Sequence, residues 1–335
     1  MILVTGGTGL VGAHLLYKLA SNKEKIRAIY RSEQKLEVVK KVFSYYTATV
    51  DPLFNSIEWI KADLLNIPDL NKTFKDVSHV YHCAALVSFD PNDYLILKRT
   101  NTQGTTNIVN LCLAHNIKKL CYVSSVATLG KSLTKDPITE ETYWNPEEDN
   151  NVYAITKYGA EMEVWRGTQE GLHAVIINPG VILGGGNWNQ GSGNLFKRVY
   201  NNLKYYTNGI TGIVAVNDVV TIMIALMKTD VKNESYILVS EHWSFKQLLQ
   251  TIATHLGVNI PKKSVQPWQA EMGWRLDWLR HKLTGKKRVL SRQIAQTINS
   301  KSTYSSDKIT SLLHYKWTPI EDSIQVISKQ FKDDL

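Results

Sequence analysis

Short apolar runs alternate with helix-length segments through the first half of the chain. The pattern predicts strands at Ile2–Thr5, Ile26–Tyr30, Ile57–Lys61, Val77–Cys83, Lys119–Ser124 and Ala174–Asn178. These runs are mostly apolar at successive positions, the signature of strands covered on both faces. Between them, helical spacing predicts helices near 10–21, 33–46, 67–75, 91–116 and 151–170. Such alternation predicts an α/β fold with a parallel sheet. Right-handed crossovers then place helices on both faces, so the sheet is expected to be doubly wound.

The pattern changes after Pro179. Gly184 to Gly193 is rich in Gly and Asn and is expected to form a flexible loop. A strand and helix return at 212–228 and another strand at Ser235–Val239. From about 242 onward the chain is expected to be mainly helical, without alternation. We therefore expect a larger domain from 1–180 with 212–241, and a smaller, mainly helical one from 181–211 with 242–335.

With 335 residues the chain suits one large α/β unit or two intimate ones. Hydrophobic residues at 43% and charged residues at 21% are globular values and argue against disorder. The net charge of +9 is partly local, since Arg280, Lys282, Lys286, Lys287, Arg288 and Arg292 crowd one stretch. A solvated helix face is the plain expectation there, and no nucleic-acid-binding signature accompanies the charge. Cys83, Cys112 and Cys121 form no CxxC pair and are expected to be buried free thiols of a reducing compartment. The nine histidines form no HExxH or Cys/His cluster, so no metal site is expected. No charged leader with a cleavable apolar segment opens the chain, and Val219–Met227 is far shorter than a membrane span. No integral membrane segment and a cytoplasmic location are expected.

Gly6-Gly7-Thr8-Gly9-Leu10-Val11-Gly12 lies between the first predicted strand and helix. Its glycines fit GxGxxG from Gly7 or GxxGxxG from Gly6. Glycine permits the tight turn and lets backbone approach a pyrophosphate, while the helix N-terminus offers free N–H groups to that anion. A Rossmann-type dinucleotide site follows. At the end of the second strand an NAD site usually places a carboxylate on the ribose hydroxyls. Here Arg31 stands there and Lys35 follows, which favours a 2′-phosphate, hence NADP(H), with NAD(H) as the alternative.

Tyr153 and Lys157 are four residues apart, one above the other on a helix. An ammonium beside a phenol lowers its pKa, so Tyr153 could give a proton to a carbonyl oxygen or take one back. Ser125 follows a predicted strand at the end where ligands of open α/β sheets sit, and could hydrogen-bond the same oxygen.

At this point the chain resembles the extended short-chain dehydrogenase/reductases, the NAD-dependent epimerase/dehydratase superfamily. The matching segments run in order: TGGTGLVG at 5–12, ADL at 62–64, YHCAA at 81–85, NTQGT at 101–105, YVSSVA at 122–127, YAITK at 153–157, NPGVILG at 178–184 and VNDVV at 216–220. The resemblance implies a catalytic set of Ser125, Tyr153 and Lys157. It implies cofactor contacts from Gly6, Thr8, Gly9, Leu10, Val11, Gly12 and Val123. Asp63 and Leu64 would meet the adenine, Ala84 and Ala85 would line the cofactor path, and Lys157 would hold the nicotinamide ribose. Pro179 and Val181 would present backbone to the carboxamide, and Asn101 would be structural. Helices near 91–116 and 151–170 often form dimer bundles in this family, which implies a homodimer.

Within that family, dehydratases carry an Asp-Glu pair where this chain has Val126-Ala127. Nucleotide-sugar epimerases carry an Arg-Tyr-Phe-Asn run where it has Asn178-Pro179-Gly180-Val181. The branch similar to dihydroflavonol 4-reductase remains. An NADPH-dependent reductase of a ketone or aldehyde is therefore expected. A nucleotide-sugar epimerase or dehydratase using bound NAD and a non-catalytic NADP-binding regulator are the alternatives. The substrate pocket is expected to draw on Val87, Ser88, Phe89, Lys131 and Trp188, with the 184–193 loop. Trp268, Trp274 and Trp278 could form a lid, pack in a core or against a partner, or lie at a membrane surface.

Overall fold

The computed structural model describes residues 1–132, 136–285 and 300–335. Lys286, Lys287, Arg288 and Arg292 of the basic stretch lie outside the described residues.

The chain opens with β1 (Ile2–Thr5), α1 (Leu10–Ser21) and β2 (Ile26–Tyr30). It continues through α2 (Leu36–Ser44), α3 (Val50–Asn55), β3 (Glu58–Lys61), α4 (Ile67–Lys72) and β4 (His79–His82). Then come α5 (Tyr94–Leu97), α6 (Gly104–Ala114), β5 (Lys119–Val123), α7 (Val152–Gln169) and β6 (Ala174–Pro179). After these follow β7 (Val181–Leu183), α8 (Gly193–Tyr200), β8 (Tyr205–Tyr206), β9 (Ile210–Ala215), α9 (Val216–Lys228) and β10 (Glu234–Leu238). The last part holds β11 (Glu241–Ser244), α10 (Phe245–Leu256), β12 (Lys263–Ser264), α11 (Pro267–Thr284) and two helices at Asp307–Leu313 and Ile320–Asp333.

Seven strands form one parallel sheet in the order β10-β6-β5-β4-β1-β2-β3. The order reverses between β1 and β4, where a crevice opens beyond the strand ends. Both faces are covered, which is why Val175, Ile176 and Ile177 of β6 are all buried despite pointing to alternate sides. One face packs on Leu16, Val42, Phe43, Val220 and Met223 from α1, α2 and α9. The other packs on Leu70, Ile108, Val109, Ala160 and Val164 from α4, α6 and α7. This is the expected doubly wound, Rossmann-type α/β fold.

A third core joins α8, α10 and the terminal helix through Phe196, Leu248, Ile252, Ile324 and Phe331. It backs a small sheet of order β11-β9-β7. Two readings of the pattern differ from this. Residues 212–215 belong to β9, which pairs with β7 and β11 rather than with the large sheet. The stretch after 240 begins with a strand, because β11 pairs antiparallel with β9 through register Trp243 to Thr211.

The predicted 91–116 helix is also interrupted. A π-helical stretch at Lys98–Gln103 separates α5 from α6 and carries the buried Asn101. The stretch is polar throughout, so no apolar period crosses it to register the wider turn.

Candidate functional site

The turn after β1 is specified by backbone crowding. Gly6 has φ +69°, and a Cβ there would lie 2.5 Å from the Ala84 amide nitrogen. A Cβ on Gly12 would stand 2.2 Å from the Gly6 carbonyl oxygen. The Gly9 N–H donates to that same carbonyl at 2.9 Å. Gly7 is less constrained, since its added Cβ would meet side-chain atoms, a Leu16 methyl at 2.8 Å first. Of the two motif readings, Gly6, Gly9 and Gly12 is the one the backbone requires. No acidic residue and no side-chain cap occupy the start of α1, and the Ala13 N–H donates to Gly9 at 2.9 Å. Thr8, Leu10 and Val11 therefore flank an open helix N-terminus suited to a diphosphate.

Arg31 follows β2 and Asp63 follows β3, so pairing of these strands brings the two together at 3.9 Å, both well exposed. Asp63 also accepts the Leu65 N–H at 2.9 Å, while the Leu64 carbonyl accepts from Asn107 at 2.8 Å. Lys35 is exposed in the turn before α2. Ala84 and Ala85 follow β4, with Ala84 backbone against Gly6. A glycine cradle at the switch point, an uncapped helix end and a cation at the β2 terminus together fit a bound dinucleotide.

α7 carries the next set. Asn151 caps it by accepting the Ala154 N–H at 2.9 Å, which puts Tyr153 in the first turn and Lys157 one turn on. Ser125 follows β5 and accepts the Ala127 N–H at 3.1 Å. Burial raises the Tyr153 pKa, and a side-chain hydrogen bond with Ser125 works against that. The Lys157 side chain is buried; its Nζ donates to the Tyr122 hydroxyl at 2.6 Å and to the Val123 carbonyl at 2.8 Å. Burial brings Lys157 down to about 7, against the upward pull of Glu161 and Cys83. Lys157 is turned toward Tyr122 and Val123, and the group that eases the Tyr153 proton here is Ser125.

Behind this set lies a carboxylate that the motifs did not flag. Glu161 is buried on α7 and accepts from Ser124 at 2.5 Å, Thr128 at 2.8 Å, Asn178 at 2.9 Å and Trp165 at 3.4 Å. Asn178 also donates toward the Ser125 carbonyl at 3.3 Å. Glu161 thus pulls the ends of β5 and β6 onto α7. The one signal for it in the sequence was its place in the row Tyr153, Lys157, Glu161 at four-residue spacing. His82 was missed as well. Its ring bonds Thr5 at 2.6 Å and Thr105 at 2.9 Å, stacks on Tyr122, and burial lowers it to about 3.

On the open side, Phe89 lies edge-on to Tyr153 with ring centres 5.5 Å apart. Val87 is exposed, and Ser88 donates to Asp93 at 2.6 Å, shaping the loop. Asn101 fixes the start of this loop, accepting the Leu86 N–H at 2.7 Å and donating to its carbonyl at 3.0 Å. The other expected substrate residues are engaged elsewhere. Lys131 pairs with Glu148 at 2.6 Å. Trp188 packs on Phe196 and Phe331, with its indole N–H on Asp334 at 2.8 Å, so it closes the smaller core. The 184–193 loop is held at both ends rather than loose: buried His14 bonds the Gly185 carbonyl at 3.0 Å, and Gly193 backs onto Asn187. Pro179 ends β6 and Val181 begins β7, flanking Gly180, whose added Cβ would lie 2.4 Å from the Gly212 carbonyl. All three cysteines are free thiols, with Cys83 partly accessible. Among the described residues no His, Cys, Asp and Glu cluster could hold a metal, and no helix is long and apolar enough to cross a membrane.

A doubly wound sheet with a glycine-lined turn at its switch point defines a dinucleotide-binding fold, and family and relatives make the chain an NAD(P)-dependent enzyme acting on CH–OH or C=O groups. The chain belongs to the NAD dependent epimerase/dehydratase family, whose profile matches residues 2–238. It is similar to a putative dihydroflavonol 4-reductase of Synechocystis, 28% identical over 79% of this chain and 75% of that one. It is also similar to cinnamoyl-CoA reductase 1 of Petunia hybrida, 24% identical over 71% and 72%. In fold it resembles UDP-glucose 4-epimerase of Thermotoga maritima, with TM-score 0.76, 17% identity and 99% of each chain covered.

Proposed function

We propose that the chain is an NADPH-dependent reductase of a ketone or aldehyde, dihydroflavonol 4-reductase-like, with Ser125, Tyr153 and Lys157 as its working set. The observation that carries this reading is the Ser125–Tyr153 hydroxyl pair, beyond the end of β5 and one helical turn from a buried lysine. When bound, the cofactor supplies a hydride to the carbonyl carbon. Ser125 hydrogen-bonds the carbonyl oxygen and Tyr153 delivers the proton to it, giving the alcohol. Lys157, buried beside Val123, would hold the nicotinamide ribose. Arg31 would pair with a 2′-phosphate, with Asp63 beside it shaping the adenine end. Relatives named as reductases support the same direction.

Substrate would enter beside Phe89 and Val87, between the larger part (1–180 with 212–241) and the smaller one (181–211 with 242–335). Exposed Leu95, Ile96, Ile155 and Met162 on α5 and α7 support a homodimer through these helices. The test is an oxidation screen with NADPH beside NADH over ketones, aldehydes and nucleotide sugars, using the wild type and Tyr153→Phe. NADPH consumption by a carbonyl, lost in the variant while NADPH still binds, is the expected result. Near-full activity of Tyr153→Phe overturns the assignment. Interconversion of UDP-sugars without net NADPH oxidation replaces it with an epimerase, and stoichiometric NADPH binding without turnover of any carbonyl replaces it with a regulator.

A further inference from the structure

We propose that α11 seats the protein on an anionic membrane surface, with Trp268, Met272, Leu276, Leu279 and Leu283 entering the headgroup–acyl boundary. These residues recur at spacings of four, four, three and four, which on a helix makes one narrow stripe. They are exposed by 62%, 52%, 62%, 44% and 76%. The side of α11 turned toward the protein is different. It holds buried Ala270 and partly buried Trp274, Asp277 and His281. The helix therefore turns a mixed side toward its own fold and its large apolar stripe away from it. A contiguous row of large apolar side chains in water marks a contact surface.

Charge selects the occupant. In sequence, residues 267–292 contain seven Lys or Arg, four of them outside the described residues, against only Glu271 and Asp277, which is +5 of the chain's +9. Both acids are matched within the helix, Glu271 by Arg275 at 2.8 Å and Asp277 by Arg280 at 2.6 Å. Neither lies on the stripe. Lys282 reaches over the Trp278 ring at 5.3 Å, so its stem lies along apolar surface and its charge extends beyond it. A second copy meeting this face two-fold would set like charge against like. Trp, Met and Leu bordered by cations instead suit an acidic bilayer interface, where each basic residue adds to the attraction. Among the described residues no helix could span a bilayer, so the helix would lie in the surface plane.

The test is co-sedimentation of the full chain with vesicles of phosphatidylcholine alone or mixed with phosphatidylserine. Binding to the mixed vesicles, little to the neutral ones, and release by salt are expected. Lys282→Gln should weaken binding about fivefold. Leu276→Glu with Leu279→Glu should abolish it, while NADPH binding and thermal unfolding stay unchanged because both positions are solvent-facing. A chain that stays in the supernatant with every vesicle overturns the proposal, as does a double variant that sediments like the wild type. Loss of a dimer in the double variant, with no vesicle binding by either protein, assigns the stripe to a second copy instead.

Discussion

Lys157 Nζ donates to the Tyr122 hydroxyl at 2.6 Å, so the ammonium proposed to serve the cofactor is held from beneath by β5. Tyr122→Phe removes one acceptor from a buried cation. We expect a stability loss of about 2 kcal/mol in urea unfolding, the scale for a hydrogen bond to a charged group. Without that acceptor the ammonium is less favoured, so Lys157 should titrate below about 7. The limb it contributes to the turnover–pH profile should then move to lower pH. A profile superimposable on the wild type would rule out this coupling.

Glu161 answers four donors from three elements. Glu161→Ala would leave Ser124, Thr128, Asn178 and Trp165 without their shared acceptor, and should cost about 3 kcal/mol or more. Glu161→Gln keeps one acceptor oxygen and should cost clearly less. Chemical denaturation of the two variants side by side decides it; equal losses would mean that volume, not the carboxylate, is what matters.

The glycine turn makes a graded prediction. Gly12→Ala and Gly6→Ala push a Cβ into backbone and should lower NADPH affinity at least tenfold, on the order of 1.4 kcal/mol. Gly7→Ala asks only for a shift of side-chain atoms and should be milder. Fluorescence titration of NADPH gives the order, and a Gly7 variant worse than Gly12 would contradict it.

The proposed preference for NADPH rests on Arg31. Arg31→Glu should weaken NADPH about tenfold or more by setting a carboxylate against the 2′-phosphate, and should leave NADH unchanged or improved. Parallel titrations with both cofactors test this. Equal losses for both would place Arg31 outside the discriminating site.

His82 and His14 give the acid limb of stability. Burial lowers them to about 3 and about 4, from 6.5. The unfolded chain takes up these protons below pH 6.5 while the folded chain refuses them. Stability is therefore full above 6.5 and falls as pH drops toward 4. Each histidine contributes a slope of about 1.4 kcal/mol per pH unit once the unfolded form is protonated. His82→Gln should flatten the fall in Tm between pH 6 and pH 4 relative to wild type, whatever it costs at pH 7.

Much of the frame was legible because it is local. Ile2–Thr5, Leu10–Ser21 and Ile26–Tyr30 emerged with their observed bounds, since a buried strand, a glycine turn and a helix follow one another there. The π-helical stretch around Asn101 escaped because its six residues are all polar and carry no apolar period that the wider turn could shift. β11 escaped because its partner, β9, lies some thirty residues earlier, and pairing leaves no mark on so short a segment. Ser125, Tyr153 and Lys157 could be named from their motifs. Their direct partners could not. Trp165 meets Glu161 one turn on along the same helix, but the donors at positions 124, 128 and 178 reach it only through the folded sheet.

Asn101 reaches three ways at once, to both backbone groups of Leu86 and to the Thr156 hydroxyl at 3.2 Å. Thr156 directly precedes Lys157, so one amide rivets the loop's first residue to the proton-handling helix. Beyond that rivet, residues 87–93 hang from a fixed anchor. Under the proposed function, exchanging them, apart from Phe89 whose ring meets Tyr153, would change which molecules are admitted without re-aiming Ser125 and Tyr153. The fold thus separates what is recognised from what is done to it, and recognition can drift while the chemistry stays in register.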